Sequence, residues 1–133
     1  MCIFCKIINH EIPSSIVYED DLSIAILDIS QQTKGHTLII PKKHVENIFE
    51  LDEELSKHLF SVTVKVTKLL KEKLHFENVN ILNNNGSLAG QSVNHFHIHI
   101  IPQYENDNLV FGFKDKEPDF NKLNETLLEI KNQ

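Results

Sequence analysis

Residues 93–102 read Val-Asn-His-Phe-His-Ile-His-Ile-Ile-Pro, and this run constrains the fold more than any other stretch. From His95 to Ile100 polar and apolar side chains alternate, the period of a half-buried β-strand. The pattern predicts a strand with His95, His97 and His99 on one face and Phe96, Ile98 and Ile100 on the other, stopping at Pro102. Same-face neighbours on a strand lie about 6.5–7 Å apart. Three imidazoles so spaced could hold a small anion or a metal ion, or share a reaction. A helix would scatter them over more than half a turn. Histidine is not a favoured strand residue, and the plain alternative is a solvated face. Strict alternation with an apolar residue in every gap speaks against it.

Such a strand needs partners. Ile16–Glu19 and 23–28 read as a hairpin around Asp20-Asp21, and 36–41 as a third strand ending at Pro41. Val79–Leu82 reads as a fourth, with the histidine strand as the fifth. Leu55, Leu59, Val62, Val66, Leu69 and Leu70 form one apolar stripe, so a long helix is expected from about Asp52 to Leu74, serving core packing. Short helices are expected near Ile3–Ile8 and from Pro118 onward, where Phe120, Leu123, Leu127 and Ile130 share a face. Strands without strict βαβ alternation point to an antiparallel α+β domain.

With 133 residues the chain is long enough for a single domain with its own core. Its net charge of −6 argues against nucleic acid or an anionic membrane as a main partner. No stretch reaches transmembrane length, and no adequate signal-peptide core opens the chain, so a cytoplasmic location is expected. Cys2 and Cys5 are too few and too close for a disulfide framework, which fits a reducing compartment. Every cationic residue apart from histidine is a lysine. A phosphate site here therefore has no guanidinium fork and must use amides, hydroxyls, imidazoles or lysines.

The loop Gly86-Ser-Leu-Ala-Gly90-Gln91-Ser92 precedes the histidines. It is not a Walker A loop: three residues separate its glycines and Gln91 stands where lysine is required. Gly90 still permits close backbone approach, and Gln91 and Ser92 add donors. Alone this is an ordinary turn-rich loop. Beside three strand histidines it becomes a candidate pocket for a tetrahedral oxyanion. Cys2-x-x-Cys5 is half of a tetrahedral zinc site, and its plain alternative is a pair of reduced cysteines in a packed helix.

His95-Phe-His-Ile-His-Ile-Ile101 resembles the H-φ-H-φ-H-φ-φ signature of the histidine triad (HIT) family. Gly90-Gln-Ser-Val93, Asp28-Ile-Ser30, Gly35-His36 and Ile40-Pro-Lys-Lys-His44 resemble it in order and spacing, and Cys2-Ile-Phe-Cys-Lys-Ile-Ile8 with Ile12-Pro13 resembles its Hint-like branch. The resemblance spans about residues 2 to 102. It implies an α+β, HIT-like two-layer domain with a five-stranded antiparallel sheet, one long helix and short terminal helices. Residues 1–104 would form the core, and 105–133 a tail with a helix belonging to the same domain.

The resemblance also implies hydrolysis or transfer at the α-phosphorus of a purine nucleotide by a homodimer. His97 would be the nucleophile, forming a nucleotidyl-histidine. His99 and Ser92 would serve the phosphoryl oxygens or leaving group, with His36 as a fourth histidine nearby. Backbone N–H groups at Gly90, Gln91 and Ser92 would stabilise developing charge. Asp28 would hold the ribose, with Ile29 and Asn84 also contacting the nucleotide. His44 and His95 would complete a structural zinc site with Cys2 and Cys5, and no organic cofactor is implied. Three other readings stand beside a phosphoramidase. One is a dinucleoside polyphosphate hydrolase. Another is a zinc hydrolase using the triad as ligands, and the last a nucleotide-binding module without turnover.

Overall fold

The computed structural model describes residues 2–107 and 109–132. Its elements in chain order are α1 (Ile3–Ile8), β1 (Ile16–Glu19), β2 (Ser23–Leu27), β3 (Thr37–Pro41), α2 (Glu53–Leu74), β4 (Asn78–Leu82), β5 (Ile98–Gln103) and α3 (Phe120–Lys131). Helix α2 starts where the Asp52 side chain accepts from the Leu55 N–H, with Glu53 and Glu54 at the positive end of the helix dipole. It ends where His75 turns left-handed, its N–H bonding to the Lys71 carbonyl.

The strands form one sheet in the order β1-β2-β3-β5-β4, each pair antiparallel. Leu55, Leu59, Val62, Val66 and Leu70 of α2 pack on one face against Ala25, Ile39, Phe96, Ile98 and Ile100. Phe4 and Ile7 of α1 pack on the other with Ile24, Ile26, Leu38 and Ile40. Each such side chain taken from water contributes about 1.5–3 kcal/mol. The two clusters explain the unbroken Leu38-Ile39-Ile40 run, because β3 is covered on both sides. The short α1 covers only part of the second face, which leaves room there for a site.

The histidine strand departs from expectation at both ends. It begins at Ile98, not His95, and continues through Pro102 to Gln103. At its start, the next residue that β3 turns toward it is Pro41, which has no N–H to donate. The Pro41 carbonyl accepts from the His95 ring instead, and the Phe96 N–H goes to Val45. At its end, the Pro102 carbonyl accepts from the Thr33 hydroxyl, so Pro102 turns its main-chain polar side away from β4 and no ladder bond is lost. The facial division holds, since Phe96, Ile98 and Ile100 all lie under α2.

Among the described residues beyond Tyr104 the side chains are exposed except for Leu109, which is half-buried. Helix α3 starts at a cap by Asp119. Phe120, Leu123, Leu127, Leu128 and Ile130 on α3 are all exposed. No helix of the described residues is long and apolar enough to cross a membrane.

Candidate active site and a neighbouring metal-binding cluster

The three signature histidines do not act on a common point. His95 is fully buried, and its Nε2 lies 2.8 Å from the Pro41 carbonyl, an acceptor only. That bond places the ring proton on Nε2 and leaves the Nδ1 lone pair free. Nδ1 faces the Cys2 Sγ at 3.3 Å, the Cys5 Sγ at 3.6 Å and the His44 Nδ1 at 3.1 Å. Cys2 to Cys5 is 3.0 Å, Cys5 to His44 3.3 Å and Cys2 to His44 3.7 Å.

These six separations are the edges of a small tetrahedron. Around a zinc ion, bond lengths near 2.3 Å to sulfur and 2.0–2.1 Å to nitrogen require edges of about 3.8 Å (S–S), 3.6 Å (S–N) and 3.3 Å (N–N). Five of the six agree within about 0.3 Å of those values, and the sulfur pair alone is short. Two thiols, two imidazoles and a tautomer fixed by the Pro41 carbonyl fit a closed site for a borderline-soft cation. The side chain of Cys2 also caps α1 by accepting from the Cys5 N–H, which brings both sulfurs to the same end of the helix.

His97 is oriented the opposite way. Its Nδ1 donates to the His95 carbonyl at 2.8 Å, so Nε2 carries the lone pair. Phe4 packs edge-on against the ring, centroid to centroid 5.0 Å. Burial lowers the His97 pKa, against the His95 carbonyl and the Asp28 charge, which favour the proton. A neutral imidazole with a free Nε2 is the nucleophilic form.

His99 and His36 form the third arrangement. The Gln32 N–H points to His36 Nδ1 at 3.3 Å, leaving the His36 proton on Nε2. That nitrogen is 2.9 Å from His99 Nδ1 and 3.5 Å from Asp28 Oδ2. His99 therefore accepts at Nδ1 and carries its own proton on Nε2. Its ring centroid is 5.0 Å from that of His97. Burial first, then the imidazoles of His97 and His36, push His99 down to about 4. Burial lowers His36 as well, with Asp28 opposing. Asp28 is set in place by the Ser30 N–H on Oδ1, and the Gln31 amide bridges the carbonyls of Asp28 and His36.

The Gly86–Ser92 loop folds as a single 3-10 turn, Ser87–Ala89, closed by Gly90 at φ +91°, where a side chain would be strained. Two of the three N–H groups expected to face an oxyanion are already paired. Gly90 donates to Ser87 and Gln91 to Gly86, which leaves Ser92. The Gln91 side chain is likewise engaged, accepting from Gly86 and donating to the carbonyls of Glu46 and Val93. Gln91 is thus a strut for the loop in this conformation. Sequence reading treated it as a donor because spacing cannot show which polar atoms are taken.

A cavity of about 270 Å³ joins Phe4, Ile7, Ile26 and Leu38 to Asp28, Ile29, Ser92, His97 and His99. A second, about 220 Å³, is lined by Asp28, His36, Asn84 and His99 together with Leu109 and Phe111 of the tail. The two share Asp28 and His99. Ile29 is fully exposed at the first. A larger surface groove lies elsewhere, between Lys42, Lys57, Glu54 and His58, and its lining is of mixed charge. Sequence reading missed Leu109 and Phe111, the Gln31 bridge and Asn83, which donates to the His97 carbonyl. No spacing signal marks them.

Comparison with known proteins adds an independent line. A family model described as the HIT domain matches residues 9–106. An uncharacterized HIT-like protein of Methanocaldococcus jannaschii is 53% identical over 133 residues, covering 98% of this chain and 99% of the relative. The adenosine 5'-monophosphoramidase of Saccharomyces cerevisiae is 38% identical over 130 residues, covering 97% of this chain and 80% of its own. The crystal structure of a Zn-bound histidine triad family protein from Mycobacterium smegmatis superposes with a TM-score of 0.78 at 32% identity, covering 98% and 96% of the two chains.

Proposed function

The chain belongs to the HIT family, and on that premise we propose that it is a hydrolase acting at the α-phosphorus of purine nucleotides, on substrates of the nucleoside phosphoramidate type. The observation that carries this reading is the His97 tautomer. With Nδ1–H held by the His95 carbonyl, the free lone pair is on Nε2, and His97 lines the cavity together with Ser92 and His99. The Nε2 lone pair attacks phosphorus, the bond to the leaving amine breaks, and that amine takes the proton from His99 Nε2. Water then attacks phosphorus and gives its proton to His99 Nε2, releasing the nucleoside monophosphate and returning His97 and His99 to their starting forms. The His36 Nε2–H, 2.9 Å from His99 Nδ1, holds His99 in that tautomer.

The apolar part of the first cavity suits a purine base, with Ile29 beside it and Asp28 toward the ribose. Asn84 contacts the nucleotide from the second cavity, and the Gly90-Gln91-Ser92 turn offers the Ser92 N–H and hydroxyl to the phosphoryl oxygens. Cys2, Cys5, His44 and His95 would hold a structural zinc ion, which supplies a cross-link between α1 and the strand-entry segment. The phosphoramidase activity named for the yeast relative supports the substrate class. A homodimer in the cytoplasm, without nucleic acid or membrane as partner, completes the reading. The exposed apolar side chains of α3 support self-association.

The dinucleoside polyphosphate alternative is less favoured, because the second cavity has no lysine in its lining to neutralise a polyphosphate leaving group. A zinc hydrolase built on the triad is disfavoured by His95, whose free nitrogen turns to the cysteines. Rapid quench with a radiolabelled adenosine phosphoramidate, followed by peptide mass spectrometry, tests the proposal. Label on His97 is expected. Product formed in a single turnover without any adduct would reject it.

A further inference from the structure

Between the last residue of β4, Leu82, and the first of β5, Ile98, the sheet ladder stops. The carbonyl of His97 lies just past that point, with no strand partner. It is met instead by a side chain: Asn83 Nδ2 is 2.9 Å away. Asn83 Oδ1 in turn accepts from Asn85 Nδ2 at 2.6 Å, and Asn85 Oδ1 accepts from the Ile48 N–H at 2.7 Å. The direction of this chain is forced at both ends. A backbone N–H can only donate and a carbonyl can only accept, so neither amide can flip without breaking two bonds. Asn84, between them, lines the second cavity.

We propose that Asn83, oriented by Asn85, is a positioning residue that fixes the main chain of His97 for attack. The inference rests on His97 being the nucleophile. The His97 ring is held through Nδ1 by the His95 carbonyl, but that bond aligns Nε2 only if the peptide after His97 keeps its orientation. An ordinary strand would supply that restraint through the ladder. Here the β4–β5 ladder ends at Leu82, and the Asn83 amide takes the place of the missing bond. Without it the carbonyl turns toward water and the imidazole moves with it. A displacement near 1 Å at a reacting atom costs about 100-fold in rate.

The test compares Asn83→Asp, which keeps the shape but cannot donate to a carbonyl, with Asn85→Ala, which leaves the Asn83 donor but frees its orientation. With an adenosine phosphoramidate, kcat should fall about 10–100-fold in Asn83→Asp while KM stays within about twofold. Asn85→Ala should show a smaller loss of the same kind, and it carries the test if Asn83→Asp does not fold. Imidazole ¹⁵N spectra give a readout independent of turnover. Wild type should show His97 as a single Nδ1–H tautomer, and the variants a mixture. Unchanged kcat, or a kcat loss that follows Tm while the His97 tautomer stays single, would overturn the proposal. Absence of a nucleotidyl adduct in wild type would instead reject the nucleophile assignment, and the spectra would still decide whether Asn83 orders His97.

Discussion

His36 and His99 share a single proton across 2.9 Å, and the direction of sharing is set from outside the pair. The Gln32 N–H occupies His36 Nδ1, so His36 must donate and His99 must accept. His99 thereby carries N–H, not a lone pair, at Nε2. A second proton between the two rings would make one of them an imidazolium and set N–H against N–H.

That arrangement gives an acid-dependent stability. His99 titrates at about 4 in the fold against 6.5 for a free imidazole, facing His36 just before β3, His97 from the strand entry and Asp28 after β2. The unfolded chain binds the proton more readily. His99 therefore stabilises fully above about pH 6.5 and loses its contribution as pH falls toward 4. Allowing for partial solvent screening, about 1–2 kcal/mol is at stake. Urea midpoints at pH 7.5, 5.5 and 4.5 should fall more steeply for wild type than for His99→Asn. Parallel curves would contradict the assignment.

Removal of the metal cluster should affect structure before chemistry. Purified protein should contain one zinc per chain by elemental analysis, and Cys5→Ser should contain little. Loss of the cross-link should lower Tm by about 5 °C or more. Turnover at a temperature well below Tm should change by less than about tenfold, because no cluster atom faces the nucleophilic Nε2. Equal Tm values with and without zinc would dismiss the structural role.

Gln91 should act on stability and binding together. Its three side-chain bonds span Gly86, Glu46 and Val93, and it is buried. Gln91→Leu leaves those main-chain groups unpaired and should cost about 2–3 kcal/mol. KM for the phosphoramidate should rise more than kcat falls. A variant as stable as wild type would show that water replaces the amide.

Asp20 is a structural counterpart away from the site. It accepts from Tyr18, His58, the Ser23 hydroxyl and the N–H groups of Leu22 and Ser23, tying α2 to the β1–β2 turn. Burial alone would raise its pKa, but those bonds outweigh it and hold the carboxyl well below the usual range. Its stabilisation is complete above about pH 4 and is lost as pH falls further. Asp20→Ala should destabilise by about 2–3 kcal/mol at pH 7 with normal kcat. Loss of activity without loss of stability would count against a purely structural role.

The amphipathic stripe of α2, the β-prone Leu38-Ile39-Ile40 run and the alternation at Phe96, Ile98 and Ile100 were legible in the sequence, because burial imposes a period on residue type. The family signature likewise marked His97 and the Cys2–Cys5 pair. The ends of the histidine strand were misread, because a ladder depends on what the neighbouring strand can donate. Pro41 is 57 residues before Ile98, and nothing local to the histidines announces that it withholds an N–H.

By itself the sequence determined that three histidines would share a sheet face beside a tight polar loop. Only the tertiary structure decided what each could do. A ring nitrogen becomes nucleophile, donor or metal ligand according to which carbonyl or N–H occupies the other nitrogen. For His95 that partner is Pro41, for His97 the His95 carbonyl, and for His99 the proton of His36. Two of these three contacts cross between strands far apart in the chain, so only the packed sheet brings the partners together.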